Sequence, residues 1–205
     1  LIGDSNLYIV AVQALIDAFV CVLVGYLAGY FHHRLILPAG LLAAFNLNMI
    51  IHTALILSDS LFMLPFVAGL IASASYIRRP SFASAAAASG LFSIALLVRP
   101  VLLYFPPVLL LFFAIIAWHH RVRLSKAVLH LVVVASGFIL IVGPLLLRNQ
   151  QEFGHFAYVS QTGTHAIFWV YPQAQEFANG APRDESVAAM RARLKAFQES
   201  RATPT

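Results

Sequence analysis

The chain has 205 residues, of which 60% are hydrophobic and only 10% charged, with a net charge of +5 at neutral pH. That leaves too few polar side chains to cover a water-soluble body of this size, and it puts the chain among polytopic membrane proteins. The basic excess is not a nucleic-acid signature, because the Arg and Lys residues are scattered between apolar runs instead of gathered on one aromatic-studded face.

The sequence begins at Leu1 without a basic n-region, a small-residue cleavage site or an initiator methionine, which predicts an interior piece of a longer protein. A first span is expected over about Leu7 to Tyr30, enough residues to cross about 30 Å of hydrocarbon. It ends at His32-His33-Arg34. Pro38 can open a second span reaching about Leu57, made polar by Asn46, Asn48 and His52. A third runs from Leu61 to about Ile77 and stops at Arg78-Arg79-Pro80. The fourth, Phe82 to Val98, is rich in small residues; Ser84/Ala88 and Ala86/Gly90 are each four apart and let a neighbouring helix come close. Arg99-Pro100 ends it. A fifth covers Val101 to Trp118 and a sixth Ala127 to Leu147, followed by Arg148-Asn149. Cys21, the only cysteine, sits in the first apolar run as a small hydrophobe, so there is no disulfide framework or Cys-based metal site.

Six spans alternate in direction, and short loops rich in Lys and Arg stay in the cytoplasm. The loops after spans one, three and five carry Arg34, Arg78, Arg79, Arg121, Arg123 and Lys126, with no acid. The opposite loops carry Arg99 and Arg148 together with Asp4, Asp59 and Glu152. The bias therefore places Asp59, Arg99, Arg148 and the tail after Asn149 on the outer side. The expected architecture is an all-α transmembrane bundle over 1–149 with an extracytoplasmic segment over 150–205. Within that segment Phe153–Ser160 reads as an extended or interfacial stretch. From Asp184 a helix is expected, with Val187, Met190, Leu194 and Phe197 as its apolar stripe, lying on the outer leaflet or packing on another part of the protein.

Walker, GxGxxG, GxSxG, HExxH and Cys/His zinc spacings are all missing, which argues against an ATP-driven pump or a zinc protease in this stretch. The chemistry-bearing residues lie elsewhere. Asp59, in Leu57-Ser58-Asp59-Ser60-Leu61-Phe62, is an acid between two apolar runs; it is either functional or, with Ser58, the cap of the third span, and the two roles are compatible. Arg99 and Arg148 are cations at the outer edge, suited to a phosphate or pyrophosphate by bidentate donation, or else reaching lipid headgroups. Asn48 and His52, four apart, make a polar stripe leading toward Asp59. His52 there could ligate a metal, share a proton with Asp59 or simply hydrogen-bond within the bundle. Asp17, with Gln13 one turn before it, stands mid-membrane and must face protein, where an interhelical hydrogen bond is the expected role. His32/His33 and His119/His120 read as solvated loop residues.

The order of parts resembles the polyprenyl-phosphate-dependent membrane glycosyltransferases, the GT-C class that includes protein O-mannosyltransferases and the aminoarabinose transferases acting on lipid A. The resemblance rests on Ser58-Asp59-Ser60-Leu61-Phe62, on Leu97-Val98-Arg99-Pro100, and on Gly143 to Asn149 followed by Phe153-Gly154 and Val159-Ser160. Tyr171-Pro172-Gln173-Ala174 and Arg183-Asp184-Glu185 extend it into the tail. It implies transfer of a sugar from a polyprenyl-phosphate donor to an acceptor outside a bacterial plasma membrane. By that resemblance Arg99, with Arg148 or a divalent cation, would meet the carrier phosphate, and Asp59 would be a second acid near the active site. The family's principal acid lies in a first outer loop that this sequence does not contain, so the stretch alone is not expected to be competent. A solute or lipid-linked-sugar transporter and a non-catalytic envelope-assembly subunit are the competing readings. The first would show broken helices and paired mid-membrane charges.

Overall fold

The computed structural model describes residues 4–54, 58–154, 156, 158, 166–180 and 182–202. The described residues form helices and turns with no strand, and they divide into two units, Leu1–Glu152 and Phe153–Thr205.

Among the described residues the first unit holds seven α-helices: α1 (Asp4–Gly29), α2 (Ile36–Ala44), α3 (Leu47–Ala54), α4 (Asp59–Arg78), α5 (Phe82–Val98), α6 (Phe105–His119) and α7 (Leu124–Phe153). Three stretches are long and apolar enough to cross a membrane: Leu7–Gly29 of α1, all of α4 and all of α7. Large apolar side chains such as Leu15, Phe19 and Val22 on α1 and Ile139 and Leu140 on α7 are exposed, as expected of helices whose solvent is lipid. Helices α5 and α6 are shorter, with 17 and 15 residues.

The second span is not one helix. Asn46 turns its Oδ1 onto the backbone N–H groups of Asn48 and Met49, at 3.0 and 3.4 Å. That is an N-cap, and it starts a new helix where a continuous span was expected. Helix α2 packs against α1 through paired glycines, the Gly25 and Gly40 backbones being so close that a Cβ on Gly25 would sit 2.6 Å from the Ile36 carbonyl.

Interhelical contacts fix the threading. Helices α1 and α4 are parallel, because Ser60 Oγ donates to Asp17 Oδ2 at 2.8 Å and, farther along both helices, the Tyr30 and Ser75 hydroxyls meet at 2.6 Å. Helix α5 returns antiparallel to α4, with Phe92 against Gly69 midway and Arg99 at Asp59 at the end. Helix α6 runs with α4: Phe113 packs on Tyr76, and His120 Nε2 lies 2.7 Å from the Ile77 carbonyl. Helix α7 comes back down, tied by Tyr76 Oη to His130 Nδ1 at 2.9 Å and by Ser89 Oγ donating to the Val134 carbonyl at 2.6 Å.

Small residues do bring α5 close to its neighbours, with Ala88 of the expected pairs among them. Ala85, Ala88, Ser89 and Phe92 are buried, and Gly137 of α7 accepts Ser89 so tightly that a Cβ there would overlap the hydroxyl. Gly90 instead faces open space. Helices α1, α4 and α6 thus run one way and α5 and α7 the other, and the loops carrying Arg34, Arg78 and Arg121 share one end of the unit.

In the second unit a π-helical turn, Ala166–Val170, leads directly into α8 (Tyr171–Asn179), which Gly180 ends in the left-handed conformation at φ 64°. Helix α9 (Arg183–Ala202) packs on both, with Val187 and Met190 half-buried and Leu194 and Phe197 exposed. The expected stripe is therefore more buried at its Val187–Met190 end than at Leu194 and Phe197. Of the stretch expected to be extended, Phe153 closes α7 and Gly154 turns at φ 69°, while residues 155, 157, 159 and 160 lie outside the described residues.

Candidate functional site

Asp59 is the first residue of α4, and Arg99 is the residue at which α5 stops, its extended backbone (φ −139°) preceding the Pro100 that cannot continue the helix. Because α4 and α5 are antiparallel, these two termini coincide, and Arg99 Nη1 forms an ion pair with Asp59 Oδ1. The partners are 43% and 26% exposed. A carboxylate at a helix N-terminus and a guanidinium at a helix C-terminus each complement the local dipole by about 0.3–1 kcal/mol. The pair itself, partly solvated, adds on the order of 1 kcal/mol or less.

Ser58 is the N-cap of α4, but its side chain makes no capping hydrogen bond; only its carbonyl accepts from Phe62 N–H. The capping role expected for Ser58 or Asp59 is thus replaced by a carboxylate within the first turn. One residue on, Ser60 reaches the buried Asp17 of α1. A polar thread therefore crosses three helices, from Asp17 through the Ser60–Asp59 dipeptide to Arg99. Asp17 has the interhelical hydrogen bond expected of it, and Gln13 is buried one turn away.

Arg148 stands at the same end. From the Tyr76–His130 contact, Asp59 lies about 26 Å along α4 and Arg148 about 27 Å along α7 at 1.5 Å per residue. Arg148 is exposed and donates through Nε and Nη2 to the Glu152 carboxylate, both at 3.2 Å, as an i,i+4 pair within α7. It is not part of the Asp59–Arg99 contact.

The polar stripe expected to lead from Asn48 and His52 to Asp59 falls partly outside the described residues. Asn48 is exposed in the first turn of α3, which begins only after the break at Asn46, and α3 ends at Ala54. Residues 55–57 and the side chain of His52 lie outside the described residues, and with them the stretch that would join Asn48 and His52 to Asp59.

Two features at this end and in the core were not anticipated. A groove of about 490 Å³ opens between Ile9, Val12, Gln13 and Ile16 of α1 and Ser58 and Leu61 at the start of α4, almost wholly apolar in its lining. The second is the Tyr76–His130 pair, buried in the core; an imidazole inside the sixth apolar run was the available signal. Among the described residues no group of three or more His, Cys, Asp or Glu is placed to hold a metal ion. The arrangement can offer a carboxylate and a guanidinium, a group with five N–H donors, beside a groove lined mainly by apolar side chains. Compared with known protein families, characterised proteins and solved structures, the chain matches none.

Proposed function

We propose that the chain is part of a membrane-embedded transferase that draws a sugar from a polyprenyl-phosphate carrier, with the Asp59–Arg99 end of the bundle at the carrier phosphate. The observation that carries this reading is the ion pair between the opening residue of α4 and the closing residue of α5, at the end of the unit opposite the basic loops. A guanidinium there can exchange a carboxylate for the carrier phosphate, a diester monoanion in the donor that becomes a dianion as the sugar leaves, with a bidentate geometry. The apolar groove beside Ser58 supports the same reading, since a prenyl chain needs a dry slot within reach of the site that holds its phosphate.

In such a transfer the leaving phosphate gains negative charge, and Arg99, with Arg148 at the same end, supplies fixed positive charge where it develops. A divalent cation could share that task. Asp59 keeps Arg99 oriented before the donor arrives, and His52 and Asn48 stand on the helix leading to it. The transfer also needs a base for the acceptor hydroxyl. Under the Lys/Arg bias the reaction faces the outside of a bacterial plasma membrane, as does the segment after residue 150.

A second reading, a transporter of a solute or lipid-linked sugar, is favoured by one observation: the interruption between α2 and α3 at Phe45-Asn46 is the kind of discontinuous helix found at transport sites. Reconstitution of the full-length protein in liposomes separates the two. With a radiolabelled polyprenyl-phosphate sugar, the transferase reading expects label on an acceptor and loss of at least a hundredfold in rate for Arg99→Ala, with folding retained. Label that crosses the bilayer still attached to its carrier or free, with no acceptor product, would replace it with the transporter.

A further inference from the structure

The end of the bundle opposite Asp59 and Arg99 carries an unbalanced charge. Three loops meet there: Arg78 donates to the Tyr30 carbonyl and stacks over the Tyr30 ring at 4.5 Å, and His120 reaches the Ile77 carbonyl. These contacts bring the α1–α2, α4–α5 and α6–α7 connections into one surface. On it stand Arg34, Arg78, Arg79, Arg121, Arg123 and Lys126, all exposed. The sequence from Ala18 to Gln151 contains a single acid, Asp59, and that lies at the other end. Within this surface, then, the cations have no carboxylate to neutralise them.

The same loops expose large apolar side chains directly beside the cations: Phe31 and Leu37 flank Arg34, and Trp118 and Leu124 flank Arg121 and Arg123. A ligand that satisfies both features must carry a negative head and a hydrocarbon body. We infer that this end of the bundle is a binding surface for anionic phospholipid, with the guanidinium groups on headgroup phosphates and Phe31, Leu37, Trp118 and Leu124 against the acyl chains. Arginine suits the head because it donates to phosphate oxygens in pairs. Trp118, 83% exposed, suits the depth, since indoles settle at the headgroup level. A soluble anion would use the cations and leave the apolar flank uncovered.

The test titrates the purified full chain in neutral detergent with short-chain phosphatidylglycerol, with phosphatidylcholine of the same chain length, and with inorganic phosphate. Binding is read by intrinsic tryptophan fluorescence and by native mass spectrometry. The surface predicts phosphatidylglycerol at least tenfold tighter than phosphatidylcholine and no displacement by phosphate at the same concentrations. Each cation near an anionic surface is worth about fivefold in affinity, so Arg79→Gln with Arg123→Gln should weaken phosphatidylglycerol more than about tenfold, while Arg193→Gln in the second unit leaves it unchanged. Equal affinity for the two lipids overturns the inference, and so does displacement by inorganic phosphate, which would make the site one for a soluble anion. The wild-type comparison decides the matter even if the double variant does not fold. The outcome is independent of the proposed transferase, whose site is at the other end.

Discussion

Arg99, the residue that caps the end of α5, closes onto Asp59, the first residue of the preceding helix α4, so an ion pair ties the terminus of α5 to the start of α4. Each partner also sits at the helix end whose dipole favours its charge. Exchanging the residues, Asp59→Arg with Arg99→Asp, restores opposite charges but sets each against its dipole. The exchanged protein should be about 1–2 kcal/mol less stable than wild type in mixed-micelle unfolding. Full recovery would show that only the pairing matters.

The hydrogen bond from Tyr76 to His130 joins α4 to α7 inside the bundle at 2.9 Å. Interhelical hydrogen bonds between apolar spans are worth about 0.6 to 1.7 kcal/mol, so Tyr76→Phe should lose that much. His130→Ala should lose more, because it leaves the Tyr76 hydroxyl buried without its partner and opens a void. Unfolding free energies of the two variants in the same micelles check the order; an equal or reversed order would mean the contact does not hold the helices.

Gly137 and Gly90 make opposite predictions although both lie in helices. A side chain at Gly137 meets Ser89, whose hydroxyl anchors the Val134 carbonyl, so Gly137→Val should destabilise by about 1–3 kcal/mol. Nothing lies within 4 Å of a Cβ at Gly90. Gly90→Ala should therefore be neutral or gain up to about 1 kcal/mol of helix propensity. Thermal melts of the two variants side by side provide the comparison.

Arg121 holds a positive φ of 50°. It is the residue after the end of α6 in a Schellman turn, where Val122 N–H reaches the Ala117 carbonyl and Arg121 N–H that of Trp118. Glycine is the usual occupant of that position, so Arg121→Gly should raise stability in neutral detergent by about 0.5–1 kcal/mol. A loss in melting temperature would mean that the arginine side chain is structurally committed.

Much of this architecture was legible in local chemistry. Helix α5 occupies the expected residues, because Ser81 caps it by accepting from Ser84 N–H and Arg99-Pro100 stops it. The last span ran longer than expected, to Phe153, since the Arg148–Glu152 pair carries the helix through polar sequence until Gly154 turns the chain. The second span failed for an equally local reason, the Asn46 side chain, whose pull on the following amides outweighed apolar periodicity. Charge counting indicated that Asp59 and Arg99 share an end. It could not indicate that they touch, nor that Arg148 pairs with Glu152, because which faces of two helices meet is decided by packing at residues such as Gly69 and Phe92.

The central claim, that Arg99 holds the carrier phosphate in place of Asp59, is tested most directly by the affinity of the purified chain in nanodiscs for polyprenyl phosphate. Arg99→Gln should weaken binding at least tenfold, whereas Asp59→Asn, which removes the competing carboxylate, should tighten it. Unchanged affinity in Arg99→Gln, or weaker binding in Asp59→Asn with the fold intact, would contradict the account.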